Sequence, residues 1–259
     1  MKYLNLLLLT LLLFSACNPS DSTKTEILDS NPAAEGFNVN ASDPEAMSIA
    51  NQVMEAMGGR KAWDNTRHIT WNFFGFRDLY WDKFTGNVRV ETPAQNLIAL
   101  ININDKTGRV FKDGNEITDA DTLSTFVTNA YNAWVNDSYW LVMPFKLKDS
   151  GVTLKYLGQS NATDGEACDM LQLTFQEVGV TPQNKYHVWV SQDSRLVVEW
   201  AYFPSFEDEQ PRIKTPWTGY ERHGEILLSG GRGERNLNNI AVFSDLPERL
   251  YTDPTYKLR

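Results

Sequence analysis

The sequence predicts an α+β domain: a strongly curved, mostly antiparallel β-sheet, in effect a half-open barrel, with two principal helices covering its concave side. Three observations carry this. Short runs of alternating apolar and polar residues recur along most of the chain, the mark of strands with one drier face. Turn signals such as Thr85-Gly86-Asn87, Lys106-Thr107-Gly108, Lys112-Asp113-Gly114-Asn115, Asp164-Gly165 and Gln192-Asp193-Ser194 separate them at short intervals, so neighbouring strands should pair antiparallel. Only two stretches have a helical repeat, and a sheet of so many strands curls or closes unless it is covered.

Residues 1–16 read as a secretory leader. Lys2 precedes an apolar run from Leu4 to Phe14, too short to span a bilayer, and Ser15-Ala16-Cys17 offers small residues at a cut. Residues 17–41 are rich in Ser, Asn, Asp, Thr and Pro without periodicity and read as a flexible tether. Residues 42–259 read as one domain. Its first helix runs from Asp43 to Met57: Ser42 and Glu45 have capping-box spacing, Pro44 suits the first turn, and Gly58-Gly59 stops it. A second helix is expected from Ala120 to about Val135, with Leu123, Phe126, Val127, Ala130, Tyr131 and Trp134 on a helical repeat and Asp119 or Asp121 as cap. Strands are expected at 68–76, 87–91, 97–103, 152–156, 171–176, 186–190 and 196–202. Trp140 to Phe145 reads as a buried strand or as a lip, with Pro144 arguing against a central paired strand.

Hydrophobic residues make up 42% of the 259 and aromatics 12%, which suits a folded core. The net charge of −9 gives no electrostatic footprint for nucleic acid. With Cys17 engaged elsewhere, Cys168 has no disulfide partner and reads as a small buried hydrophobe. No catalytic residue, metal site or cofactor is predicted. His68, His187 and His223 show no zinc spacing, and no Gly-x-Ser-x-Gly elbow is present. Ser229-Gly230-Gly231-Arg232-Gly233 lacks the Lys and helix of a phosphate cradle. Asp137 with Glu199 would make an acid–base pair only if the fold joined them, and Asp78 and Asp82 around Tyr80-Trp81 suit a hairpin end. The aromatics are the strongest signal. Trp71, Phe73, Trp81, Trp134, Tyr139, Trp140, Phe145, Trp189, Trp200 and Tyr202 would line an apolar ligand cavity if sheet and helices leave room between them, and would fill the core if they do not.

Two resemblances add to this reading. Leu13-Phe14-Ser15-Ala16-Cys17 resembles the bacterial lipobox, with Phe14 where Leu is commoner. It implies cleavage before Cys17, lipid on that cysteine and a membrane anchor. Asn18 in place of Asp at the second mature position implies, by analogy, the outer membrane. Further on, Met57-Gly58-Gly59 to Trp63, Phe73-Phe74-Gly75, Leu79-Tyr80-Trp81-Asp82-Lys83, the run Asn136 to Leu147, and Val178-Gly179-Val180-Thr181-Pro182 resemble an uncharacterised lipoprotein family of Bacteroidota. The order of elements is similar to the LolA/LolB-type lipoprotein carriers, in which helices lid a half-open barrel over acyl chains. That resemblance implies a non-catalytic envelope protein binding a lipid, a lipoprotein or another acylated ligand. A surface module that binds a glycan or a protein through exposed aromatics is the alternative.

Overall fold

The structure, a computed structural model, describes residues 30–176 and 181–258. The leader, Cys17 and the tether up to residue 29 lie outside the described residues, as do Val178, Gly179 and Val180.

The part of the expected tether from Asn31 to Ala41 is built into the domain. The N–H of Ala34 bonds the carbonyl of Lys148 at 2.9 Å, that of Asn38 bonds Val152 at 3.0 Å, and that of Asp43 bonds Leu154 at 2.9 Å. The segment thereby covers the outer edge of the strand that begins at Val152, and Phe37 is buried in the main core. Polar composition hid this, because backbone groups do the pairing and one aromatic side chain does the docking.

Helix α1 (Pro44–Ala56) buries Ala46, Ile49, Ala50, Val53 and Met54 on one face. The expected capping box does not form. The Ser42 hydroxyl donates to the Asn38 carbonyl at 2.8 Å and accepts from the N–H of Leu154, while the Asp43 carboxylate takes Lys155 Nζ and the N–H of Tyr156. These groups stitch the helix start to the neighbouring strand. Gly58, at φ +115°, ends the helix where a Cβ would meet the Glu225 carbonyl oxygen at 2.3 Å. Only glycine lets the two backbones approach so closely. A short helix α2 (Arg60–Asn65) follows.

Then come β1 (His68–Phe73), β2 (Arg77–Asp82), β3 (Asn87–Thr92), β4 (Leu97–Asn102), β5 (Thr107–Lys112) and β6 (Asn115–Glu116), a meander of antiparallel hairpins. Helix α3 (Ala120–Val142) crosses the sheet, capped by the Asp119 carboxylate on the N–H of Thr122. After it run β7 (Val152–Asn161), β8 (Ala167–Phe175), β9 (Lys185–Ser191), β10 (Val197–Phe203), β11 (Ile213–Pro216), β12 (Thr218–His223), β13 (Ile226–Gly231), β14 (Leu237–Phe243) and a final turn of helix, α4 (Arg249–Thr252).

The described strands form three antiparallel ladders: β14-β1-β2-β3-β4-β5-β6, then β11-β10-β9-β8-β7, then the β12-β13 hairpin. The fold is the α+β arrangement that the sequence predicts, a curved sheet that is not closed, with β6 and β7 at its two ends. One expectation changes. Helix α3 does not stop near Val135 but continues to Val142 and passes into a 3-10 turn at Met143–Lys146. Trp140 to Phe145 is therefore helix and turn, and not a strand. Pro144 sits at the start of that turn, where its missing N–H costs nothing.

Helix α3 packs chiefly on β3, β4, β5 and β13, while α1 lies against β7 and the 3-10 turn. On its outer side the seven-stranded sheet carries a separate cluster of Leu246, Leu250 and Tyr251. There Arg89, 1% exposed, donates to the carbonyls of Leu250, Asp253 and Pro254 and pairs with Glu91 at 2.6 Å, which fastens the C-terminal segment.

Candidate ligand cavity

Between the second half of α3 and the five-stranded sheet lies a cavity of about 470 Å³. That is within the ~300–1,000 Å³ of small-molecule sites. Trp134, Tyr139 and Trp140 face it from the helix; Val152, Phe175, Tyr186, Trp200, Tyr202 and Ile213 face it from β7, β8, β9, β10 and β11. Register explains the sheet wall. Leu173 pairs with Tyr186, Val188 with Trp200 and Tyr186 with Tyr202, so these side chains share one face. The rings hold one another: Trp140 meets Trp200 edge-on at 4.6 Å, Tyr186 stacks on Trp200 at 5.2 Å, and Tyr139 lies 5.4 Å from Tyr186.

The polar part of the lining comes from Asn136 and Ser138 of α3, from the 3-10 turn and from loops. Lys146 is ion-paired with Asp149, and Asn184 donates to Thr181 Oγ1 at 2.6 Å and to the Tyr186 hydroxyl at 3.3 Å. Burial pushes the Tyr186 hydroxyl up to about 12 and the Tyr139 hydroxyl well above its ordinary value, so both stay protonated. Four polar atoms of these residues, Tyr139 Oη, Trp134 Nε1, Trp200 Nε1 and Asn184 Oδ1, are buried behind the lining surface without a hydrogen-bond partner.

Five of the ten aromatics predicted for a cavity line it: Trp134, Tyr139, Trp140, Trp200 and Tyr202. The others do not. Trp71, Phe73, Trp81 and Phe145 belong to the filled core, where Trp63 stacks on Phe145 at 4.4 Å and meets Trp81 at 6.5 Å. There Trp81 also meets Trp134 of α3 at 5.3 Å. Trp189 faces the opposite side of the five-stranded sheet, in a small cluster with Cys168, Ala201 and Phe203. Its place was legible: Tyr186 and Val188 alternate with His187 and Trp189, so no strand can show Tyr186 and Trp189 on one face. The same parity points to Phe175 and Tyr186, the two wall aromatics that the aromatic count alone misses.

The other candidate chemistry is dispersed. Asp137, fully buried, accepts from Arg77 Nε at 2.6 Å and Nη2 at 2.9 Å. Burial raises its carboxyl, against the pull of Arg77. Glu199 lies on the far face with Lys214 at 2.8 Å, so the pair with Asp137 does not exist. Asp82 bonds Arg67 and the N–H of Phe84, a hairpin end. Cys168 is buried and unpaired. Arg232, in the glycine-rich run, is a buried clamp: it donates to the carbonyls of Trp140, Ser229 and Gly231, lies 3.4 Å over the Trp217 ring, and is pushed down to about 9 by burial. Among the described residues no cluster of three His, Cys, Asp or Glu stands ready for a metal, and no helix is long and apolar enough to cross a membrane.

No protein-family model matches the chain, and no curated protein matches it. Among solved structures it is similar to the crystal structure of a DUF1329 family protein from Desulfovibrio piger, at 14% identity and a TM-score of 0.43, over 81% of this chain and 98% of that one.

Proposed function

We propose that the chain is a lipid-anchored protein of the cell envelope, held on the outer membrane through Cys17, and that it binds an apolar or acylated ligand without catalysis. The observation that carries this reading is the aromatic-walled cavity between α3 and the five-stranded sheet. A site of this size with apolar walls and a few polar groups at one part of its lining suits a molecule with a greasy body and a small polar end.

The alternative, surface recognition through exposed aromatics, asks for tryptophan on an open rim. None of the eight tryptophans is exposed. A chain beginning at Asn18, which keeps every described residue, tests the proposal in native mass spectrometry after detergent-free purification. It should carry a non-covalent apolar adduct or take one up from added lysophospholipid or fatty acid. A bare mass before and after those additions contradicts it.

A further inference from the structure

We infer that the cavity takes one acyl chain at a time, of up to about sixteen carbons, so that its ligand is a single-chain amphiphile of the chemistry of a fatty acid or lysophospholipid, and not a lipid or lipoprotein with two or more chains. This rests on the reading that the cavity binds an apolar ligand, and adds how much of one it holds.

Volume sets the limit. A methylene group takes up about the space of one water molecule in the liquid, ~30 Å³, so a cavity of about 470 Å³ holds roughly sixteen such groups. That is one long chain. A lipid with two such chains needs twice the room, and its second chain would stay in water, where each exposed methylene is unfavourable.

The space cannot widen easily. Rings bridge α3 to the five-stranded sheet at two places. Tyr139 lies 5.4 Å from Tyr186 and 6.3 Å from Phe175, and Trp140 lies 4.6 Å from Trp200. Moving the helix off the sheet to admit a second chain would part these pairs, which are stabilising beyond the area they bury.

Nor can it lengthen along the concave side. Trp134 meets Trp81, Trp81 meets Trp63, and Trp63 stacks on Phe145, a run of rings in or against the main core. Beyond Trp140, Phe74 at 5.3 Å and Phe73 at 6.5 Å close the way toward β1. Beyond Trp200 stands Trp217, 1% exposed and covered by the Arg232 guanidinium. A packed interior of this kind takes in extra methylenes only with strain.

Two measurements on the chain beginning at Asn18 test this. It is first incubated with vesicles of dipalmitoyl phosphatidylcholine containing palmitoyl lysophosphatidylcholine, then reisolated for native mass spectrometry. One lysolipid per protein is expected, with at least ~10-fold less diacyl adduct. It is then titrated with lysophosphatidylcholines from octanoyl to eicosanoyl, followed by tryptophan emission below the micelle-forming concentration of each. Affinity should rise roughly two- to four-fold with each added methylene and level off near about sixteen carbons. Ser138→Leu, at a buried position of α3 in the lining, should move that break to chains shorter by roughly two or three carbons, with a circular dichroism spectrum like that of the wild type. A diacyl adduct as abundant as the lysolipid, two lysolipids on one protein, or affinity that climbs without a break to the longest chain overturns the inference and leaves the apolar-ligand reading intact. A break that the substitution does not move also overturns it. Binding of no chain of any length overturns both.

Discussion

Two aromatic layers lie on the inner side of this curved sheet. Over β1 and β2, Trp71, Phe73 and Trp81 are buried in the main core, and Trp63 of α2 stacks on Phe145 and meets Trp81 edge-on. Over β8–β11, Phe175, Tyr186, Trp200 and Tyr202 meet open space. Both layers hold Trp and Phe, with Tyr only in the second; what also differs is where α3 packs. The helix leans onto β3–β5, and Arg77 of β2 reaches into it to hold the buried Asp137. Its second half meets the five-stranded sheet through rings, Trp140 on Trp200 and Tyr139 on Tyr186, and the cavity lies beside these contacts. Whether a ring fills a core or walls a cavity goes here with where α3 packs.

The comparison breaks most readily by truncating one ring from each layer. Trp71→Ala should cost about 3–5 kcal/mol, as for a large side chain removed from a close-packed core. Tyr202→Ala, on the cavity wall, should cost about 1 kcal/mol while reducing ligand uptake. Urea unfolding of both variants checks this, and similar losses would mean that both layers are equally filled. The next effect concerns the tie itself. Arg77→Met leaves a buried carboxylate without its partner and should cost about 3 kcal/mol at neutral pH. Burial already raises Asp137, so the folded variant takes up a proton more readily than the unfolded chain. Part of the loss should return as pH falls through that raised value, which denaturation midpoints across a pH series would show.

The smallest effect separates the two faces of the five-stranded sheet. His187, on the face away from the cavity, is pushed down to about 4 by burial, with Lys185 adding to it. A base whose folded value is depressed contributes stability above its unfolded value near 6.5, and that contribution fades as pH falls from there to about 4. Wild type should lose more of its urea midpoint between pH 7 and pH 5 than His187→Gln, with the lowered His68 and His223 common to both. Equal slopes would place His187 in open solvent.

Much of this was legible from local pattern. Period-2 runs mark β3, β8, β9 and β10, and Asp119 before a helical repeat marks the start of α3. The end of α3 was not, because Asn136-Asp137-Ser138 reads as a polar break. Arg77, sixty positions away, satisfies Asp137 and lets the helix continue. Residues 31–41 were misread for a related reason: their partner is the open edge of β7, which no local window contains. For the cavity, the aromatic count found half of the predicted wall, and strand parity, applied strictly, would have exchanged Trp189 for Tyr186. That a gap exists at all is a property of the packed molecule, which no local window contains.

The central claim is that room remains between α3 and the five-stranded sheet. Apolar cavities of this kind admit xenon. A crystal pressurised with the gas should show it bound among Tyr139, Trp140, Tyr186 and Trp200. Side chains closed over that space, with xenon confined to the surface, would contradict the account.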